Sequence, residues 1–283
     1  MGRDRIKEEK DYEELLSVNS AVQIQRIKEE LIKLLPGDIK IIAKNESQKK
    51  LINSIKNNEI TICAGPAGTG KTFVAMAYAL SLLRKSGNRF RKIYLMKSVT
   101  TLKGEEIGFL KGDLKEKIEP FMWSFYISME KILLDSSIKA LIDKDIIRPF
   151  PLAYMRGVSL DDCIIIADEM QNVTLDNAHT LLTRIGSNSK LILLGDMDQI
   201  DMKNKLESSL EVLVEMFEDT HSMGVIEMSQ EDTNVRNPLI SIIEEKFKEF
   251  FANKKRVAMI DATTGGTKII TIHKDKIKEL NGD

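Results

Sequence analysis

An α/β fold, a mainly parallel five-stranded sheet flanked by helices, is what this sequence predicts, and three observations predict it. Short apolar runs bounded by turn residues alternate with longer stretches of helical period, which is the pattern of a covered parallel sheet. One of those runs, Glu59–Cys63, leads directly into GPAGTGKT and then into a helical stretch, Phe73–Leu83. A third run, Asp162–Ala167 (DCIIIA), is apolar almost throughout and ends in two adjacent carboxylates, Asp168 and Glu169.

The stretch Gly65–Thr72 fits G-x-x-x-x-G-K-[ST], a loop that cradles phosphates. Gly65, Gly68 and Gly70, with Pro66, Ala67 and Thr69 between them, let the backbone curl so that its N–H groups face an anion. Lys71 is expected to reach the β- and γ-phosphates, and the Thr72 hydroxyl to ligate Mg²⁺. The start of the following helix adds its positive end to the same site.

Whole-chain composition narrows the partners. Lys and Arg (42) nearly cancel Asp and Glu (43), so no global positive field advertises nucleic acid and any such site is local. Runs such as Ile164–Ala167 are too short to span a bilayer, and the charged N-terminus has no signal-peptide core. Cys63 and Cys163 fall in expected buried strands and read as small core residues in a reducing cytoplasm.

In chain order, Gly2–Leu35 has a helical pattern closed by Pro36-Gly37, as a docking or oligomerisation arm or, more simply, a solvated flanking helix. Ile39–Ala43 reads as a short edge strand, and Asn45 or Ser47 caps a helix through Ile55. On that helix Gln48 has the donor and acceptor needed to pair with an adenine edge. Gly87 is the expected terminus of the post-loop helix, and Lys92–Met96 is the second strand. The segment Lys97–Lys117 is rich in glycine and lysine and suits an exposed loop, with Lys103 and Lys111 as nucleic-acid contacts. Asp113 is placed to cap the next helix, whose Phe121, Trp123, Phe125 and Tyr126 are either core or a stacking surface for single strands. Ser136–Lys144 is helical, Ile146–Phe150 a short extended piece, and Pro151–Gly157 (PLAYMRG) a loop offering Tyr154 and Arg156.

Asp168 is then placed to hold Mg²⁺, and Glu169 to orient or deprotonate a water, although a helix start also attracts acids. Thr174–Ile185 is an amphipathic helix closed by Gly186, and Lys190–Leu194 is the fourth strand. Just beyond it Gln199 is positioned to sense the γ-phosphate and the attacking water. Val225–Met228 is the fifth strand, Arg236–Phe250 holds a long helix, and the runs around Gly265-Gly266 form a β-hairpin.

Taken together, AGPAGTGKT, GEEIGFLKGDL (104–114), PLAYMRG, DEMQN (168–172), LLTRIGSNSK (181–190), GDMDQID (195–201) and VRNPL (235–239) resemble the PhoH-like proteins. These are the phosphate-starvation-inducible ATPases of bacteria and their phages. The resemblance covers about residues 41–250 and implies a RecA-like P-loop core related to superfamily 1 helicases. It further implies ATP and Mg²⁺ as cofactors, RNA or single-stranded DNA as partner with an unwinding (helicase) activity, and a homo-oligomeric ring, hexameric in the family. The implied setting is the cytoplasm of a bacterium or phage-infected host. The expected domains are an N-terminal helical extension (1–40), the ATPase domain (41–252) and a hairpin tail (253–283). The chain departs from the family's usual text at Lys97-Ser98 for Arg-Pro, DEMQN for DEAQN, GFLKGD for GFLPGD and VRNP for VRHP. The short flanks leave no expectation of an appended PIN-type nuclease module. The loop itself carries no arginine, so a charge-stabilising one is expected from a neighbouring subunit, with Arg184 and Arg236 the candidates; either is otherwise a local ion-pairing residue. An ATP-dependent switch for a protein partner is the alternative. A small-molecule phosphotransferase fits less well, because a DE pair with a nearby glutamine suits water as the nucleophile.

Overall fold

The computed structural model describes residues 25, 29, 31, 33–85, 89–98, 114–152, 155, 157–202, 204–229, 231–232, 239–252, 254–260 and 267–273. These fall in two compact units, Met1–Asp232 and Thr233–Asp283. In the first unit, α1 (Glu46–Asn57) leads into β1 (Ile60–Ala64), α2 (Lys71–Lys85) and β2 (Lys92–Lys97). There follow α3 (Leu114–Glu130), α4 (Asp135–Asp143), β3 (Ile147–Pro149), β4 (Cys163–Asp168), α5 (Leu175–Leu182), β5 (Lys190–Gly195), α6 (Ser209–Phe217) and β6 (Met223–Glu227). The second unit contains α7 (Leu239–Ala252) and an antiparallel hairpin of β7 (Lys254–Ile260) and β8 (Thr267–His273), as the two alternating runs required.

The sheet is parallel and its strand order is β3-β2-β4-β5-β1-β6. It has six strands where five were expected. Ile147–Pro149 pairs with β2 at one edge, so the extended piece is a strand. Conversely, residues 39–43 form no strand. Ile39 is buried in the core while Ile42 is 84% exposed, so the segment packs by its side chains without joining the sheet. Asn45, not Ser47, caps α1, its side chain accepting from the Gln48 N–H. Helix α5 stops at Leu182, short of the Ile185 the periodicity suggested. The expectations for Asp113, Gly87 and most of Gly2–Leu35 lie outside the described residues.

Strand alternation divides the core. Ile164 and Ile166 join Leu51, Leu80 and Phe125 on one face, whereas Cys163, Ile165 and Ala167 join Leu181 and Leu210 on the other. Every residue of β1, β4 and β5 is buried, as a sheet with helices on both faces demands. The register sets Ala64 beside Gly195 and Lys97 beside Asp168, so the loops leaving four neighbouring strands emerge along one edge. Both cysteines are free and fully buried, their thiols pushed up to about 12 (Cys63) and about 11 (Cys163) chiefly by that burial.

Candidate active site

Beyond β1 the chain must pass close to the end of the neighbouring strand. A Cβ on Gly65 would lie 2.6 Å from the Met228 Cβ, so glycine is required there. Gly68 and Gly70 take φ of 86° and 85°, the left-handed region that turns successive N–H groups inward. The turn is braced from within by the Thr69 hydroxyl, which donates to the Pro66 carbonyl at 3.0 Å. It is braced from outside by Gln48, whose Nε2 donates to the Thr69 carbonyl at 2.8 Å. The other end of that carboxamide accepts from the Lys44 N–H at 2.9 Å, and Gln48 is buried. The structure thus makes Gln48 a support of the phosphate loop.

Lys71 opens α2 and folds back into the loop. Its Nζ donates to the carbonyls of Gly65 (2.6 Å) and Pro66 (2.8 Å). Burial pushes its pKa down, and no carboxylate among the described residues pairs with it. A buried ammonium held by neutral carbonyls within a glycine turn fits an anion such as a nucleotide's phosphates.

Two strands over from β1, across β5, Asp168 at the end of β4 meets Thr72. The Thr72 hydroxyl donates to Asp168 Oδ2 at 2.9 Å, and the Glu169 N–H donates to Oδ1 at 3.0 Å. Burial, with Glu169 adding to it, raises the Asp168 pKa. A hydroxyl and a carboxylate converging at a phosphate loop fit Mg²⁺, which keeps most of its waters and takes few protein ligands. No cluster of three or more His, Cys, Asp or Glu side chains among the described residues suits a more fully caged metal.

Glu169 sits at φ 59°, ψ 39° and is fixed from both sides. Its Oε2 accepts from Gln171 Nε2 at 2.6 Å, and its Oε1 lies 3.5 Å from Lys97 Nζ. Gln171 is wholly buried and ties its own loop to the loop after β5. Besides Glu169, its Nε2 donates to the Gln199 carbonyl (3.2 Å), and its Oε1 accepts from the Asp196 N–H (3.0 Å). Asp196 Oδ2 in turn accepts from the Ala67 N–H at 2.9 Å, closing the circuit onto the phosphate loop. Gln199 is brought to the site by its main chain, with an exposed side chain. Lys97, Gln171 and Asp196 are the residues that sequence reasoning passed over, although DEMQN and GDMDQID contain two of them.

Arg184 is placed elsewhere. Its carbonyl accepts from Leu160, beside the amino ends of β4 and β5, and its Nε is buried with no acceptor. The length of β4, about 20 Å at 3.3 Å per residue, separates it from Asp168, so it cannot serve its own subunit's phosphate loop. Arg236, Lys103, Lys111, Tyr154 and Arg156 lie outside the described residues. Of the aromatic group on α3, Phe125 is core, Tyr126 half-buried and Trp123 63% exposed. No described helix is long and apolar enough to cross a membrane.

Comparison with known proteins gives the same outline. The PhoH-like protein of Bacillus subtilis is 39% identical over 77% of this chain and 67% of its own length. Protein PhoH of Escherichia coli K12 is 32% identical over 68% of this chain, which spans only 54% of that relative. Among solved structures, the Pif1 helicase from Candida albicans aligns with 76% of this chain and 44% of its own, at 17% identity and a TM-score of 0.34. A likeness that distant carries no argument. The family model for PhoH-like protein matches residues 40–248, a span that takes in the whole parallel sheet and the three loops joined through Gln171 and Asp196, and the chain therefore belongs to the PhoH-like family.

Proposed function

We propose that the protein hydrolyses ATP with Mg²⁺ and couples turnover to binding of single-stranded RNA or DNA. The observation that carries this reading is the circuit Thr72–Asp168–Glu169–Gln171–Asp196–Ala67, which joins the loops after three adjacent strands around the glycine turn that holds Lys71. In it Lys71 leaves the Gly65 and Pro66 carbonyls to neutralise the phosphates, and backbone N–H groups hold them in line. Thr72 and Asp168 would hold the cation, which would supply neutralisation of phosphate charge. Glu169, oriented by Gln171 and Lys97, accepts the proton of the attacking water. Gln199 is assigned a supporting role at the γ-phosphate. Each end of the Gln48 carboxamide spends one hydrogen bond on the loop and Lys44, leaving one donor and one acceptor for an adenine edge.

Charge stabilisation of the leaving group is assigned to an arginine from the next subunit of a homo-oligomeric ring, Arg184 or Arg236. The unpartnered Nε of Arg184 and its distance from its own site support the trans reading. Lys103, Lys111, Tyr154 and Arg156 are the proposed strand contacts. They belong to segments that follow β2 and β3, neighbours in the sheet whose carboxyl ends face the same way as that of β4. A cytoplasmic location belongs to the same proposal.

The test is the ATPase rate with and without single-stranded RNA and DNA, at low and moderate salt. Stimulation that weakens with salt and disappears in Arg156→Ala is the expected result. Absence of both binding and stimulation at low salt would instead favour an ATP-dependent switch acting on a protein partner.

A further inference from the structure

Away from the phosphate loop, a cavity of about 890 Å³ opens between α3, α4 and the edge strand β3. That volume is within the range of sites that hold a ligand or a set of anchoring side chains, about 300–1,000 Å³. Its lining from α4 is Asp135, Ile138, Lys139, Ile142 and Asp143, which at helical period form one face. Tyr126 and Glu130 of α3 face it across the groove. Ile147, Pro149 and Phe150 make an apolar floor.

The rim is acidic. Glu119, Glu130, Asp135 and Asp143 form no ion pair among the described residues. Against these four carboxylates the lining sets Lys139, one helical turn from both Asp135 and Asp143, and two further charges are matched, since Asp145 pairs with Lys92 and Arg148, which also covers the Phe150 ring, so the rim keeps an acidic excess. An acidic rim repels nucleic-acid phosphates and attracts a cationic partner. An incoming strand cannot pair with the sheet here, because β3 has only three residues, Ile147 is wholly buried and Pro149 has no N–H to offer. A helix can enter. From Asp135 to Asp143 the groove wall runs about 12 Å at 1.5 Å per residue, enough for anchors at i, i+4 and i+7.

We propose that this groove docks an amphipathic helix of a protein partner, its apolar side chains between the Ile138–Ile142 wall and the Pro149–Phe150 floor and its lysines or arginines against Glu119, Glu130, Asp135 and Asp143. The site is independent of the nucleotide cradle, and none of these residues belongs to the hydrolytic machinery.

Trp123 provides the readout, because it is the chain's only tryptophan and stands on α3 one turn from Glu119 and Tyr126. The full-length protein is titrated with a synthetic helical peptide of about 16 residues, leucines at the i, i+4, i+7 positions and lysines elsewhere, the arrangement such a groove reads. Saturable change of Trp123 emission is expected, together with about tenfold weaker binding to Glu130→Lys/Asp143→Lys, as loss of rim charge complementarity predicts. A glutamate-for-lysine version of the peptide should not bind, and ATPase turnover of the double variant should match the parent. Equal affinity of the peptide for parent and double variant would overturn the proposal. So would a single-stranded oligonucleotide that displaces the peptide, which would assign the groove to nucleic acid.

Discussion

Glu169 is held in a left-handed backbone conformation that costs a non-glycine residue roughly 1–2 kcal/mol, and its neighbour Asp168 is a carboxylate buried against burial's own preference. Such costs persist where a site needs the geometry. Asp168→Asn should therefore abolish hydrolysis yet raise thermal stability at neutral pH. The sign follows from the raised pKa. The folded chain favours the protonated carboxyl, so stability from this group is present below the ordinary aspartate range, about 3.9, and is lost as pH rises toward the higher folded value. The melting temperature gap between variant and parent should accordingly shrink as pH is lowered toward 4; a gap independent of pH would contradict the burial argument. Gln171→Ala is expected to cut kcat by about 10²-fold through misplacement of Glu169, with little change in KM for ATP. Steady-state kinetics on the two proteins would check that split. Lys71, Thr72, Asp168 and Glu169 were legible because strand–loop–helix context and motif spacing are local. Gln171 was not, because its acceptors and donors sit some 25 residues away on another loop and no periodicity encodes that meeting.

At the scale of elements, the parallel sheet was readable from its apolar runs, and β4 between β2 and β5 is where the two carboxylates needed it. The edge strand β3 escaped because three residues ending in proline carry too little pattern to distinguish a strand from a loop. Ile39–Ala43 erred the other way: apolar residues suited to burial against helices imitate the alternation of a strand. The end of β5 shows how closely these elements constrain one another. A Cβ on Gly195 would lie 2.6 Å from Leu210 Cδ2 and 2.7 Å from Gln171 Oε1. Gly195→Ala should destabilise the protein by about 1–3 kcal/mol through overpacking and lower turnover as Gln171 shifts. Denaturant unfolding alongside ATPase assays would test both; unchanged stability with unchanged kcat would mean that the Gln171 circuit tolerates displacement.

For the whole molecule, the proposed trans arginine makes catalysis a property of the assembly. Such an arginine is worth roughly 10³–10⁵ in rate, so specific activity should rise steeply with protein concentration and fall at dilution. Mass measurement under the assay conditions would show whether activity follows the oligomer, and a verified monomer turning over at the full rate would remove the need for a neighbour. None of this matters unless the cradle itself splits ATP. The most direct measurement is ATP binding and hydrolysis by Glu169→Gln beside the parent protein and Lys71→Ala. The account predicts that Glu169→Gln binds ATP as the parent does while turnover falls by at least about 10²-fold, and that Lys71→Ala loses tight binding. Near-parental turnover by Glu169→Gln would contradict it.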